Sequence, residues 1–205
     1  MRDEYFELFI DNMGEATSRR EVPASSIDKY RGVLPDRLLT YWQQEGWAGY
    51  AGGRFWTVDP DEYTPLLREW IKRSELADID DYHVIGRTGF GTFYLWGQRY
   101  HRKVTVSCAD NWVLAMKGEV QTPNPDPDRS LGVFFAMAEP DDFDFEDSEE
   151  NHLFERAVQT LGPLSESEMY GFVPALIAGG QARIESLEKL DMSVHLVLLH
   201  QLSHG

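Results

Sequence analysis

The sequence predicts an α+β fold of two packed units: an N-terminal unit with helices and an antiparallel sheet, and a smaller C-terminal α+β unit. Three observations carry this. Segments with helical apolar spacing precede four closely spaced β-branched and aromatic runs, which suit an antiparallel meander better than crossover units. Thr122-Pro123-Asn124-Pro125-Asp126-Pro127-Asp128 then holds three prolines, which a regular helix or central strand excludes. The charge changes at the same place. Residues 1–117 hold 18 acidic and 15 basic residues, a net of −3, while residues 118–205 hold 17 and 4, a net of −13. The expected division is a first unit at 1–117, a linker at 118–130 and a second unit at 131–205.

In the first unit, Tyr5, Phe6, Phe9, Ile10 and Met13 follow helical spacing. Leu34-Pro35-Asp36 opens a second helix, with Leu38, Leu39, Tyr41 and Trp42 on a broad apolar face and Gly46 as its stop. Gly52-Gly53 turns the chain into a strand at Arg54-Phe55-Trp56-Thr57-Val58. Asp59 suits an N-cap and Pro60 the first position of a helix that carries Leu66, Leu67, Trp70 and Ile71. After the polar turn Asp78-Ile79-Asp80-Asp81 come strands at His83–Gly86, Thr92–Trp96, Val104–Ser107 and Trp112–Met116.

In the second unit, Leu131–Met137 predicts a helix, and a further helix through Leu153, Phe154, Ala157, Val158 and Leu161 stops at Gly162-Pro163. Tyr170–Leu176 predicts an extended segment turned by Gly179-Gly180. Ile184–Leu190 reads as a strand, although Glu185, Glu188 and Lys189 also allow a helix. Asp191 caps a last helix whose Val194, Val197, Leu198 and Leu202 are expected inside.

Composition narrows the function. The 205 residues carry a net charge of −16, which disfavours duplex nucleic acid and anionic membranes, because both are held by Lys and Arg. The single cysteine, Cys108, excludes an internal disulfide and a Cys-rich zinc site. The N-terminus lacks the pattern of a signal peptide, and the densest apolar stretch, Leu196–Leu199, is far below the ~20 residues of a membrane span. A soluble cytoplasmic protein is the expectation.

The most conspicuous candidate site is acidic. Glu139 to Glu150 holds eight carboxylates in twelve residues. A calcium loop needs Gly at its sixth position and Glu at its twelfth. Counting from Asp142 these are Asp147 and Leu153, and from Asp144 they are Glu149 and Glu155, so neither register fits. A solvated loop is the plain reading. A docking surface for a basic protein is the sharper one, with Phe143 and Phe145 as aromatic anchors amid charge.

Other motifs carry less. His200 and His204 have one-turn spacing but sit at the C-terminus without an accompanying Glu, and His195 reads as a hydrogen-bonded core histidine. His101-Arg102-Lys103 reads as a charged tip between strands. Gly86-Arg87-Thr88-Gly89-Phe90-Gly91 has the wrong order for a dinucleotide loop and reads as a flexible hairpin. Cys108 reads as an inert core thiol. No nucleophile-and-base set, phosphate loop or metal set stands out, so no catalysis, cofactor or metal is expected.

Leu34-Pro35-Asp36-Arg37-Leu38-Leu39 through Tyr41-Trp42 and Glu45-Gly46, followed by Gly53 to Tyr63, resembles the GAD-like domain. Leu153-Phe154, Ala157, Leu161-Gly162, Leu164, Glu168 to Leu176, Gly179-Gly180, Val194-His195-Leu196 and Leu199 resemble the domain that follows it in immunity proteins against type VI secretion DNase toxins. The resemblance implies an antitoxin that binds and neutralises a cognate, basic nuclease domain. The partner-binding residues expected are Asp141, Asp142, Phe143, Asp144, Phe145, Glu146, Asp147, Glu149 and Glu150. Two other classes stay open: a non-catalytic regulatory or scaffold module, and a metal-dependent hydrolase using carboxylates near Asp142 and Asp144.

Overall fold

Asp3 starts the first helix, α1 (Glu4–Met13): its carboxylate accepts from the Phe6 N–H at 2.9 Å, satisfying a donor the helix end leaves open. The same carboxylate accepts from the Tyr41 hydroxyl at 2.9 Å and pairs with Arg37, tying α1 to a later helix. The computed structural model describes residues 1–72, 74–116 and 118–204. Lys117, the last residue of the expected first unit, and the side chain of His204 lie outside the described residues.

In chain order there follow β1 (Ser18–Arg20), α2 (Ala24–Tyr30), α3 (Asp36–Glu45), β2 (Trp47–Tyr50), β3 (Phe55–Thr57), α4 (Pro60–Ile71) and α5 (Leu76–Ile79). Next are β4 (Tyr82–Thr88), β5 (Thr92–Gly97), β6 (Lys103–Ser107) and β7 (Trp112–Leu114). The chain ends in α6 (Pro127–Ala136), α7 (Phe154–Leu161), β8 (Glu168–Phe172), β9 (Leu187–Asp191) and α8 (Met192–His204). β1 to β7 form one antiparallel sheet in sequence order, the expected meander extended by three strands, and β8 and β9 form a separate antiparallel pair.

Alternation of side chains lets the large sheet serve two cores. Tyr94 and Trp96 face a layer with Phe6, Phe9, Trp42 and Phe135 from α1, α3 and α6. Phe93 and Leu95 face the other layer, with Leu67 and Trp70 of α4. Because both faces are covered, these strands read as continuous apolar runs.

The C-terminal elements are built into both layers. Leu131, Phe135 and Phe143 join the first core, and Met169, Met192, Leu196 and Leu199 join the second. A third core gathers Phe90, Leu153, Phe154, Ala157, Tyr170 and Phe172. The proline-rich seam is strapped to the sheet. Asn124 donates its N–H to the Tyr100 carbonyl at 2.9 Å and its side-chain amide to the His101 carbonyl at 3.0 Å. Asp126 then caps α6 by accepting from the Arg129 N–H.

Four expectations need correcting. β1, α2 and β2 were not expected. β1 is a short polar edge, and within β2 Gly49 leaves room for the Trp56 ring, which lies 2.9 Å from where a Cβ would stand. The Gly86–Gly91 segment is a hairpin but not a flexible one. Phe90 is buried, Gly89 donates to the Arg54 carbonyl, and the Gly89 carbonyl accepts from the Tyr170 N–H, each at 2.9 Å. The extended run at Tyr170 ends at Phe172, and the strand expected from Ile184 begins at Leu187 after a 3₁₀ turn. In α8 the buried line is Met192, His195, Leu196 and Leu199, while Val194, Val197, Leu198 and Leu202 face outward. Both stripes have helical spacing, so periodicity in a helix apolar all round could not choose between them.

Candidate functional site

The acidic segment is built from its two phenylalanines. Phe143 closes a short 3₁₀ turn, Pro140–Phe143, and Phe145 follows across the extended Asp144, so that the two rings meet different cores. Phe143 is 2% exposed, with its ring 4.6 Å from Phe55 and 5.6 Å from Tyr94. Phe145 is partly buried against Phe90 at 5.6 Å and Phe172 at 5.1 Å. The segment thus staples the first core to the third. The anchoring role expected of Phe143 lacks exposed surface, while Phe145 is partly buried against the third core.

Carboxylates divide the same way. Asp144 has a side chain 0% exposed, and its Oδ1 accepts from the N–H groups of Phe145, Leu153 and Phe154 at 2.7, 3.2 and 2.8 Å. Arg54 lies 3.4 Å from its other oxygen and stacks over the Phe154 ring at 4.9 Å. Asp144 therefore holds the start of α7 and has no free face. Asp147 accepts from the Glu149 and Asn151 N–H groups at 3.0 Å and pairs with Arg156 at 2.6 Å. The Arg156 contact, with the backbone donors behind it, holds its carboxyl down at about 2.

What remains outward is Glu139, Asp141, Asp142, Glu146, Glu149 and Glu150. Asp142 is still partly committed, since its carboxylate accepts from the Glu139 N–H at 2.9 Å and closes a capping box. Asp141 approaches His152 at 3.9 Å. These groups sit on a loop fixed at both ends, so they present negative charge without first having to order a flexible chain. The sequence reading missed Arg54 and Arg156, the cations that fix the loop. Arg54 is ninety residues from Asp144, and no local signal links them.

His195, His200 and Cys108 are engaged by the fold. His195 is buried against Gly171, where a Cβ would come within 2.5 Å of its Nε2, and burial pushes its pKa down. His200 places Nε2 3.1 Å from the Glu69 carbonyl oxygen. Cys108 is buried, which raises its thiol well above the ordinary range and suppresses the reactive thiolate. Among the described residues no group of three or more His, Cys, Asp or Glu side chains is arranged to hold a metal ion, and no helix is long and apolar enough to cross a membrane.

Comparison with known proteins follows the same layout. Residues 4–110 match the GAD-like domain, and residues 128–203 match the C-terminal domain of the T6SS immunity protein Tdi1. No curated protein is significantly similar to the chain. The fold is similar to the crystal structure of Atu4351 from Agrobacterium tumefaciens, with a TM-score of 0.84 over 96% of this chain and 88% of that one, at 19% identity. At that identity the likeness speaks for the fold alone. The C-terminal match points to a type VI secretion immunity protein. The chain belongs to the GAD-like domain family and carries behind that domain the Tdi1-type immunity C-terminal domain.

Proposed function

We propose that this protein is a cytoplasmic antitoxin that binds a cognate type VI secretion DNase and neutralises it without catalysing a reaction itself. The observation that carries the reading is the match of residues 128–203 to the immunity C-terminal domain. Electrostatics supports it. A DNase needs a cationic surface to hold phosphate, and this chain offers net charge −16 with outward carboxylates on a fixed loop. Such charge raises the rate of encounter more than the strength of the final contact.

On this reading a DNase toxin is expected in the reading frame adjoining this chain's own, and the test uses the nuclease domain encoded there. Co-expression with this chain should rescue growth, and the purified proteins should bind. Asp141→Asn, Glu146→Gln, Glu149→Gln and Glu150→Gln together should slow association about tenfold at low salt and flatten its salt dependence. These four avoid Asp144 and Asp147, which hold the loop, and Asp142, which caps it. Unchanged association rate and salt slope would remove the loop from the docking surface. Failure of the wild-type chain to protect would remove the antitoxin reading altogether.

A further inference from the structure

With Phe143 and Phe145 spent on the cores, an interface steered by these carboxylates still lacks an apolar anchor point. The structure supplies one elsewhere. α8 runs beside α4, and between them lies a groove of about 550 Å³. Its apolar lining includes Tyr63, Leu66, Met192, Leu196 and Val197, and its charged lining residues, Glu62, Glu69 and Asp191, are all acidic. Beside the groove, Val194 is 69% exposed, Val197 47% and Leu198 46%. Leu196 and Leu199 are locked in the second core, so α8 cannot roll to bury this face. With Leu202 the face amounts to roughly 300–400 Å², the size at which a monomer's largest apolar patch is often functional.

Charge decides which exposed apolar surface suits a basic partner. The open edge at β7 also exposes Trp112, Leu114 and Met116, but the pocket that Leu114 and Met116 line includes Lys103 and Arg102, with only Glu119, paired to Arg102 at 3.9 Å, as acidic lining among the described residues. Those cations would meet a DNase with like charge. Among the described residues the α4–α8 groove has no Lys or Arg in its lining. Glu62 and Glu69 are paired with Arg20 and Lys72 at 2.7 and 3.5 Å in solvent-exposed contacts, which a competing cation replaces at little cost.

We propose that the α4–α8 groove receives an apolar side chain of the toxin, carried on a segment whose flanking Lys or Arg residues meet Glu62, Glu69 and Asp191. This rests on the antitoxin reading above and assigns its anchor. The carboxylates at 141–150 then govern approach, and the groove governs residence.

The experiment is biolayer interferometry of the full chain against the catalytically inactivated nuclease domain from the adjacent toxin frame. Val197→Lys and the milder Val197→Ala are compared with Leu114→Lys on β7. Thermal melts establish that each variant folds. Val197→Lys should dissociate about thirtyfold faster, the factor a buried anchor carries, with Val197→Ala between it and wild type and Leu114→Lys unchanged. If Val197→Lys fails to fold, the dissociation rate of Val197→Ala decides. Wild-type dissociation rates in folded groove variants, with wild-type protein still binding, overturn the groove and leave the antitoxin reading standing. No binding by the wild-type protein overturns both.

Discussion

Replacing Phe143 with Ala separates its two possible roles. As an interface anchor it would be removable with modest effect on the free chain. As the core residue it is, it leaves a cavity. Its ring is 2% exposed and packs on Phe55 and Tyr94, and truncating such a residue costs about 3–5 kcal/mol. Domains of this kind hold roughly 5–15 kcal/mol in total, so the loss is a large share. With a urea m-value of about 2 kcal/mol/M, the midpoint should fall by about 1.5–2.5 M. Equilibrium urea unfolding followed by Trp fluorescence reads this directly. Toxin binding, measured where the variant is still folded, should keep the wild-type association rate. A midpoint shift under 0.5 M together with weakened binding would refute the core assignment and restore the anchor.

Three further outcomes are expected. Asp144→Ala should cost about 3 kcal/mol in urea unfolding, since it strips three N–H groups and Arg54 of their acceptor, and Asp144→Asn should cost less because its amide oxygen still accepts; equal losses would contradict this. Gly171→Ala should cost about 1–3 kcal/mol, because a Cβ meets the buried His195 ring at 2.5 Å, and adding His195→Ala should recover part of it; strictly additive losses would show that the contact is not the cause. Burial holds the His195 pKa below its ordinary value, so as pH falls the unfolded chain takes up its proton first. Stability should therefore decline below about pH 6.5, by at most about 1.4 kcal/mol per pH unit from this group. His195→Gln should shallow that decline, while His83, also depressed by burial, and at lower pH the carboxylates held down by their partners, such as Asp147, keep contributing to it.

The helices were legible where capping and periodicity agree. Asp59 with Pro60 and Gly162 sit at the ends the sequence assigned them, and the β4–β7 meander follows from strand composition. What escaped was whatever depends on distant contacts. α6 looked like the opening of the second unit because of the prolines and the charge change. Its Leu131 and Phe135 also pack into the first core, and nothing local encodes that contact. The glycines of the β4–β5 turn suggested mobility, whereas Gly89 is there because Phe154 and the Gly53 carbonyl leave no room for a side chain. For the site, the sequence located the charge correctly on the chain but could not sort carboxylates that hold the fold from those that face water. Arg54 and Arg156 make that distinction, and both act through geometry.

The division of labour within the acidic segment has a physical logic. Like charges crowded on a loop repel one another and favour an expanded chain, which works against a defined surface. Here two of the eight carboxylates are neutralised inward by Arg54 and Arg156, and two phenylalanines enter separate cores. The outward carboxylates are consequently carried on a backbone already fixed, so a partner meets a preformed field and ordering costs at binding are small. Residence time then has to come from apolar contact, because rim charges shape arrival far more than departure. Phe143 cannot provide it without opening the core it closes, and Phe145 is already partly engaged by Phe90 and Phe172. The outward face of α8, beside a groove whose charged lining among the described residues is acidic, can provide it with the fold intact.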